Sequence, residues 1–152
     1  MQIQSCMTKK VDLANPQMTL AQVAQKMRDG DYGFMPVGEN DRLVGIVTDR
    51  DLAIRGTAKG SDPNKTKLQE VMSKIVHYCF EKQNLEEVLK TMSQNKVRRM
   101  PVLNDQKRLV GVVSLTDFTH ANLAQEQKNQ VEETLSEISK PQTVHPLSQV
   151  LA

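Results

Sequence analysis

Apolar residues along this chain follow two alternating periods, and the alternation occurs twice. Leu20, Val23, Ala24 and Met27 fall at i, i+3, i+4 and i+7, the spacing that lines one face of a helix; Leu85, Val88, Leu89 and Met92 repeat it. Thr19 with Gln22, and Asn84 with Glu87, suit the helix start, where a short polar side chain and a partner three residues on satisfy orphan N–H groups. A short strand is expected before each helix, around Val11 in one case and from Ile75 to Cys79 in the other. After each helix comes a strand ending in Met35-Pro36-Val37 or Met100-Pro101-Val102, whose proline marks an edge or a strand start. Polar turns at 38–41 and 104–107 lead into Leu43–Val47 and Leu109–Val113, which are apolar throughout and expected to be buried on both faces. A last helix begins at Thr48 or Ser114.

This is an internal repeat, the feature to seek first because it dictates the architecture. Met7-Thr8 matches Met72-Ser73 at a separation of 65 residues, as Met35-Pro36-Val37 matches Met100-Pro101-Val102. The separation becomes 66 for Leu43–Thr48 against Leu109–Ser114, so the second copy carries one extra residue in its turn, where insertions are tolerated. The unit is β-α-β-β-α. One copy alone has too little interior, so two copies packed sheet to sheet with pseudo-twofold symmetry are expected, an α+β (α/β-like) fold. The expected divisions are residues 1–55 for copy one, 56–70 for a polar Gly- and Pro-containing linker, 71–120 for copy two and 121–152 for a terminal helix and tail. From about Phe118 to Ser139 the chain favours a helix, and Ala124, Val131, Leu135 and Ile138 make a narrow stripe that suits one neighbouring helix.

Composition narrows the function. Aromatic residues are 3% of the chain and Trp is absent, so packing rests on aliphatics and eight Met residues. Twenty basic residues against eighteen acidic ones leave a net charge of +2, without the basic block of an electrostatic nucleic-acid binder. No apolar run approaches the ~20 residues that span a bilayer, and Met1-Gln2-Ile3-Gln4 lacks the character of a secretory leader. Cys6 and Cys79 are too few for a disulfide framework, which points to a reducing cytoplasm. There is no glycine-rich phosphate loop and no nucleophile motif, so an enzyme is not expected and no cofactor is required.

The paired motifs carry a family resemblance. Met-Thr or Met-Ser opens each copy, Met-Pro-Val sits in the middle, and Gly45-Ile46-Val47-Thr48-Asp49-Arg50-Asp51 and Gly111-Val112-Val113-Ser114-Leu115-Thr116-Asp117 close them. Together, from Cys6 to about His120, they resemble a tandem pair of CBS domains, and Gly45–Gly56 is similar to the stand-alone bacterial type. The resemblance implies a regulatory module that binds an adenosine-type nucleotide (AMP, ADP, ATP or a relative) in clefts between the copies. It also implies a homodimer signalling to a protein partner, with no nucleic acid or membrane involved.

Thr48, Asp51, Ser114 and Asp117 are the first candidates for ribose and phosphate, since carboxylates accept from vicinal hydroxyls and helix starts favour anions. The same spacing is also nearly a capping box, and both roles stay open. Thr116 lies in the same motif. Arg50 faces phosphate or pairs with Asp49. Arg98 and Arg99 either offer phosphate contacts or stand solvated at a strand end, and Gly33 and Phe34 take their places in copy one, so the two clefts are not equivalent. For the base, the resemblance points to Val11, Asp12, Val76 and His77 on the first strands, with Met35, Pro36, Met100 and Pro101 as further walls and Tyr32 as a stacking ring. Each of the apolar ones is equally at home in the core. Two further readings remain: a ligand-free dimerising or docking protein, and a metal or redox sensor using Cys6, His77 and Cys79, with His120 or His145 as added ligands.

Overall fold

The computed structural model describes residues 1–141, and the expected tail from Thr143 to Ala152, with His145, lies outside the described residues. The chain is a mixed α/β protein with two small sheets. Helix α1 (Leu20–Gly30) precedes the hairpin of β1 (Phe34–Glu39) and β2 (Arg42–Thr48), after which comes the single turn α2 (Asp49–Asp51). Copy two repeats this with β3 (Cys79–Phe80), α3 (Leu85–Asn95), β4 (Arg99–Leu103), β5 (Leu109–Ser114) and α4 (Leu115–Thr119), and α5 (Gln125–Ser139) follows. One sheet is β1-β2; the other is β3-β4-β5, parallel between β3 and β4 and antiparallel between β4 and β5.

Helix α1 starts as its pattern requires. The Gln22 N–H donates to Thr19 Oγ1 and the Thr19 N–H donates to Gln22 Oε1, closing a capping box. Its apolar stripe delivers Leu20, Val23 and Met27 to the interior, while Ala24 stays exposed. Leu85, Val88, Leu89 and Met92 are all buried on α3.

Two separate cores form, and each borrows from the other copy. Copy one buries Val23, Met35, Val37 and Val47 together with Leu68 from the end of the linker and Val71 and Met72 at the opening of copy two. Copy two buries Val88, Met100, Val113 and Phe118 around Ile3, with Cys6 and Met7 packed against them. The exchange is sealed by backbone hydrogen bonds. Thr8 N–H donates to Val112 O at 2.9 Å and is answered by Val112 N–H to Thr8 O at 3.0 Å; Ser73 and Ile46 repeat the pair at 2.8 and 2.9 Å.

The closing motifs begin with glycine for a steric reason. A Cβ on Gly111 would lie 2.6 Å from Thr8 O and 3.0 Å from Met7 Sδ, and one on Gly45 would lie 2.7 Å from Ser73 O and 3.1 Å from Met72 Sδ. The opening Met-Thr or Met-Ser of one copy thus packs directly on the closing Gly of the other.

That exchange explains three departures from the pattern. The expected strand around Val11 is irregular, since the chain pairs with copy two at Thr8 and reaches β1 only at Ala14, alongside Val37. The strand expected from Ile75 to Cys79 is likewise confined to Cys79–Phe80. Segments 9–13 and 74–78 cross between sheets, so neither finds a continuous ladder. In β2 and β5 only one face is fully buried, at Gly45 and Val47 and at Gly111 and Val113, and the residues between are half-buried.

The terminal helix also differs from its forecast. It is broken between Thr119 and Gln125, and Leu135 is 44% exposed while Thr134 is buried. Val131 and Thr134 lie three residues apart on the face that packs against α3, and the Thr134 hydroxyl is satisfied by donating to Gln130 O at 2.8 Å.

Candidate functional site

The crossing of segment 9–13 between the sheets opens a cleft of about 800 Å³ lined by both copies. Copy one supplies Val11, Asp12, Tyr32 and Phe34; copy two supplies Arg99, Val112, Ser114 and Asp117. This first cleft therefore unites six of the residues singled out from sequence: Val11, Asp12, Tyr32, Arg99, Ser114 and Asp117.

The motif side chains are held by their own helix starts. At α4, the Ser114 N–H donates to Asp117 Oδ2 at 2.8 Å, the Ser114 hydroxyl donates to the same oxygen at 3.1 Å, and the Asp117 N–H donates back to Ser114 Oγ at 3.3 Å. At α2, the Thr48 N–H donates to Asp51 Oδ2 at 2.9 Å and the Asp51 N–H to Thr48 Oγ1 at 3.2 Å. Both capping boxes of the simpler reading are thus formed. They engage one oxygen of each carboxylate. The second oxygen of Asp51 lies 3.8 Å from Arg55 Nε, whereas Oδ1 of Asp117, a residue that lines the cleft, has no hydrogen-bond or ion-pair partner among the described residues.

The two arginines part company. Arg99 lines the cleft, while Arg98 turns to α5 and donates from Nη2 to Ser139 Oγ at 3.3 Å. Across the cleft the Tyr32 hydroxyl donates to Asp12 Oδ2 at 2.6 Å. Its partial burial first, and then that hydrogen bond, push the phenol up to about 12.

The other candidates are placed elsewhere. Met35, Pro36, Met100 and Pro101 are buried, the two Met side chains fully so, and they wall the cores. Arg50 and Thr116 are exposed on their helix turns, Val76 and His77 are half-buried on the second crossing segment, and Val76 lines a different cleft at the hairpin turns. Sequence reasoning missed Thr8, Lys9, Lys10 and Asp31, which also line the first cleft. Lys9-Lys10 directly after the opening Met7-Thr8 was the available signal.

Among the described residues no group of three or more His, Cys, Asp or Glu side chains is placed to hold a metal ion, and Cys6, His77 and Cys79 form none. Burial and the nearby Asp117 charge raise the Cys6 thiol above its ordinary value; burial pushes Cys79 up to about 12, with the proximity of Cys6 adding to it. No helix among the described residues is long and apolar enough to cross a membrane.

Comparison with known proteins agrees with this architecture. Hypoxic response protein 1 of Mycobacterium tuberculosis is 41% identical over 101 residues, covering 66% of this chain and 70% of that protein. The crystal structure of Hypoxic Response Protein I with two coordinated zinc ions matches with a TM-score of 0.70 at 36% identity, over 78% of this chain and 97% of that one. CBS domain-containing protein YhcV of Bacillus subtilis is 36% identical over 124 residues, 82% of this chain and 87% of its own. The CBS domain pair of protein MJ0100, in complex with 5'-methylthioadenosine and S-adenosyl-L-methionine, shares the fold with a TM-score of 0.70 at 24% identity, over 78% of this chain and 97% of that one. The CBS domain model itself matches residues 3–55 and 68–124, and the chain belongs to the CBS domain family.

Proposed function

We propose that this chain is a regulatory module that binds an adenosine-type nucleotide in the first cleft and passes the signal to a protein partner. The observation that carries the reading is the assembly of Asp12, Tyr32, Arg99, Ser114 and Asp117 from both copies around one cleft of about 800 Å³, a volume within the ~300–1,000 Å³ of small-molecule sites. The free oxygen of Asp117 accepts from the ribose hydroxyls, and Arg99 with Lys9 and Lys10 meets the phosphates. Val11 and Phe34 supply apolar wall for the base, with Tyr32 anchored beside them. The complex of the MJ0100 pair with two adenosine compounds supports the ligand class. Because the cleft joins the copies, a bound ligand favours the arrangement in which they are closed upon each other, and a homodimer reads that shift out. The chain acts by regulation, not catalysis.

Titration calorimetry with AMP, ADP, ATP and S-adenosylmethionine tests this. Asp117→Ala is expected to weaken the best ligand by about 1.5–3 kcal/mol through loss of charged hydrogen bonds. Neither heat nor a melting shift at millimolar nucleotide overturns it. The formed capping boxes favour a second reading, in which the motifs only start helices and the chain docks a partner without ligand. Partner binding indifferent to nucleotide and to Asp117→Ala supports that reading.

A further inference from the structure

At the opposite end of the strands, β1 and β2 join through Asn40 and Asp41, and β4 and β5 through the turn at Lys107. This end lies five residues along β1 from Phe34, roughly 17 Å at strand rise. The two turns meet where Arg108 Nη1 stands 3.4 Å from Asp41 Oδ2. Between them and the second crossing segment is a cleft of about 790 Å³.

Its charge is lopsided. Arg42, Lys74, Lys107 and Arg108 line it, and Asp41 is its one acid among the described residues. Arg42, Lys74 and Lys107 make no ion pair among the described residues. The pseudo-symmetric cleft beside Leu13 is about 380 Å³ and pairs Arg42 and Arg108 with Glu39 and Asp41, so the basic excess belongs to one side only. The scaffold is fixed in advance. Asn40, Asp41 and Lys107 hold left-handed backbone at φ 52°, 59° and 59°, and Asn104 Oδ1 accepts from the N–H groups of Gln106 and Arg108, both at 3.0 Å. Tyr78, 41% exposed and braced edge-on by Phe80 with ring centres 5.6 Å apart, offers a ring face beside the cations.

We propose that this cleft is a second ligand site, for a polyphosphate anion, separate from the first cleft. Clustered unpaired cations on rigid turns match several linked phosphates better than one isolated charge. Two sources share that chemistry, inorganic polyphosphate and the triphosphate of a nucleotide, and Tyr78 distinguishes them by stacking on a base.

The test is an amide NMR titration of the whole chain with sodium tripolyphosphate, then with ATP. Saturable shifts are expected at 40–42 and 107–108, weakening as salt rises. Arg42→Glu with Lys107→Glu is expected to weaken binding by about a hundredfold, about tenfold for each cation removed. Asp117→Ala leaves the tripolyphosphate shifts unchanged even if it abolishes nucleotide binding at the first cleft, so the two sites fail independently. ATP binding tighter at the turns, with the advantage abolished in Tyr78→Ala, identifies a nucleotide; equal binding identifies inorganic polyphosphate. No shifts at the turns with millimolar tripolyphosphate, or undiminished shifts in a normally folded double-charge variant, overturn the proposal.

Discussion

The two copies share a pattern but not an interior. In copy two, Phe118 is 1% exposed beneath α3 and α5; its counterpart Leu52 is only half-buried at the start of a widened helical turn, Leu52–Gly56. Helix α5 covers α3 and adds Val131 to the second core, which Leu123 joins from the link before it, while copy one has no such cover among the described residues. Copy two also brings Arg99, Ser114 and Asp117 to the first cleft, where copy one brings Phe34. A duplicated fold has thus been divided into a better-packed half and a more open half, and both contribute polar groups to the cleft between them.

The comparison can be broken in order of effect. Phe118→Ala is expected to cost about 3–5 kcal/mol, and Leu52→Ala clearly less, because only the first leaves a fully enclosed void; denaturant melts of the two variants compare them directly. Ile3→Ala is expected to cost about 2–5 kcal/mol and to loosen copy two, although Ile3 stands at the head of copy one. Hydrogen exchange on α3 reads this out, and faster exchange on α1 instead would contradict the crossed packing. Gly111→Ala and Gly45→Ala are each expected to cost about 1–3 kcal/mol, since the new Cβ meets backbone oxygen and not a flexible tip; unchanged melting of either would show that the opening segment sits loosely. Ser114→Ala and Thr48→Ala are expected to cost about 1 kcal/mol each through removal of the caps, again read from denaturant melts.

The smallest effect is alkaline. Tyr32 ionises near 12 in the folded chain against its ordinary 10, because partial burial and Asp12 favour the neutral phenol. Its stabilising contribution is therefore complete below pH 10 and drains away as pH rises towards 12. Ultraviolet titration of the folded chain should show a tyrosine step near 12 that Tyr32→Phe removes.

Both apolar helix stripes, the Met-Pro-Val strands and the paired closing motifs are local patterns, and local patterns survive folding. Leu85, Val88, Leu89 and Met92 are buried because a 3.6-residue period puts them on one side whatever they meet. The capping boxes at Thr48 and Ser114 were legible for the same reason, since both partners lie within one turn.

What the chain alone could not fix depended on the partner of each face. That Arg99 enters a cleft while Arg98 joins Ser139 follows from where α5 docks, more than twenty residues downstream. The irregular crossing of 9–13, and with it the place of Lys9 and Lys10, follows from Thr8 pairing with Val112 across the whole molecule. Periodicity tells a residue which of its neighbours share its face. Only long-range packing tells that face what it lies against, because the free energy that decides it comes from surfaces far apart in sequence being buried together.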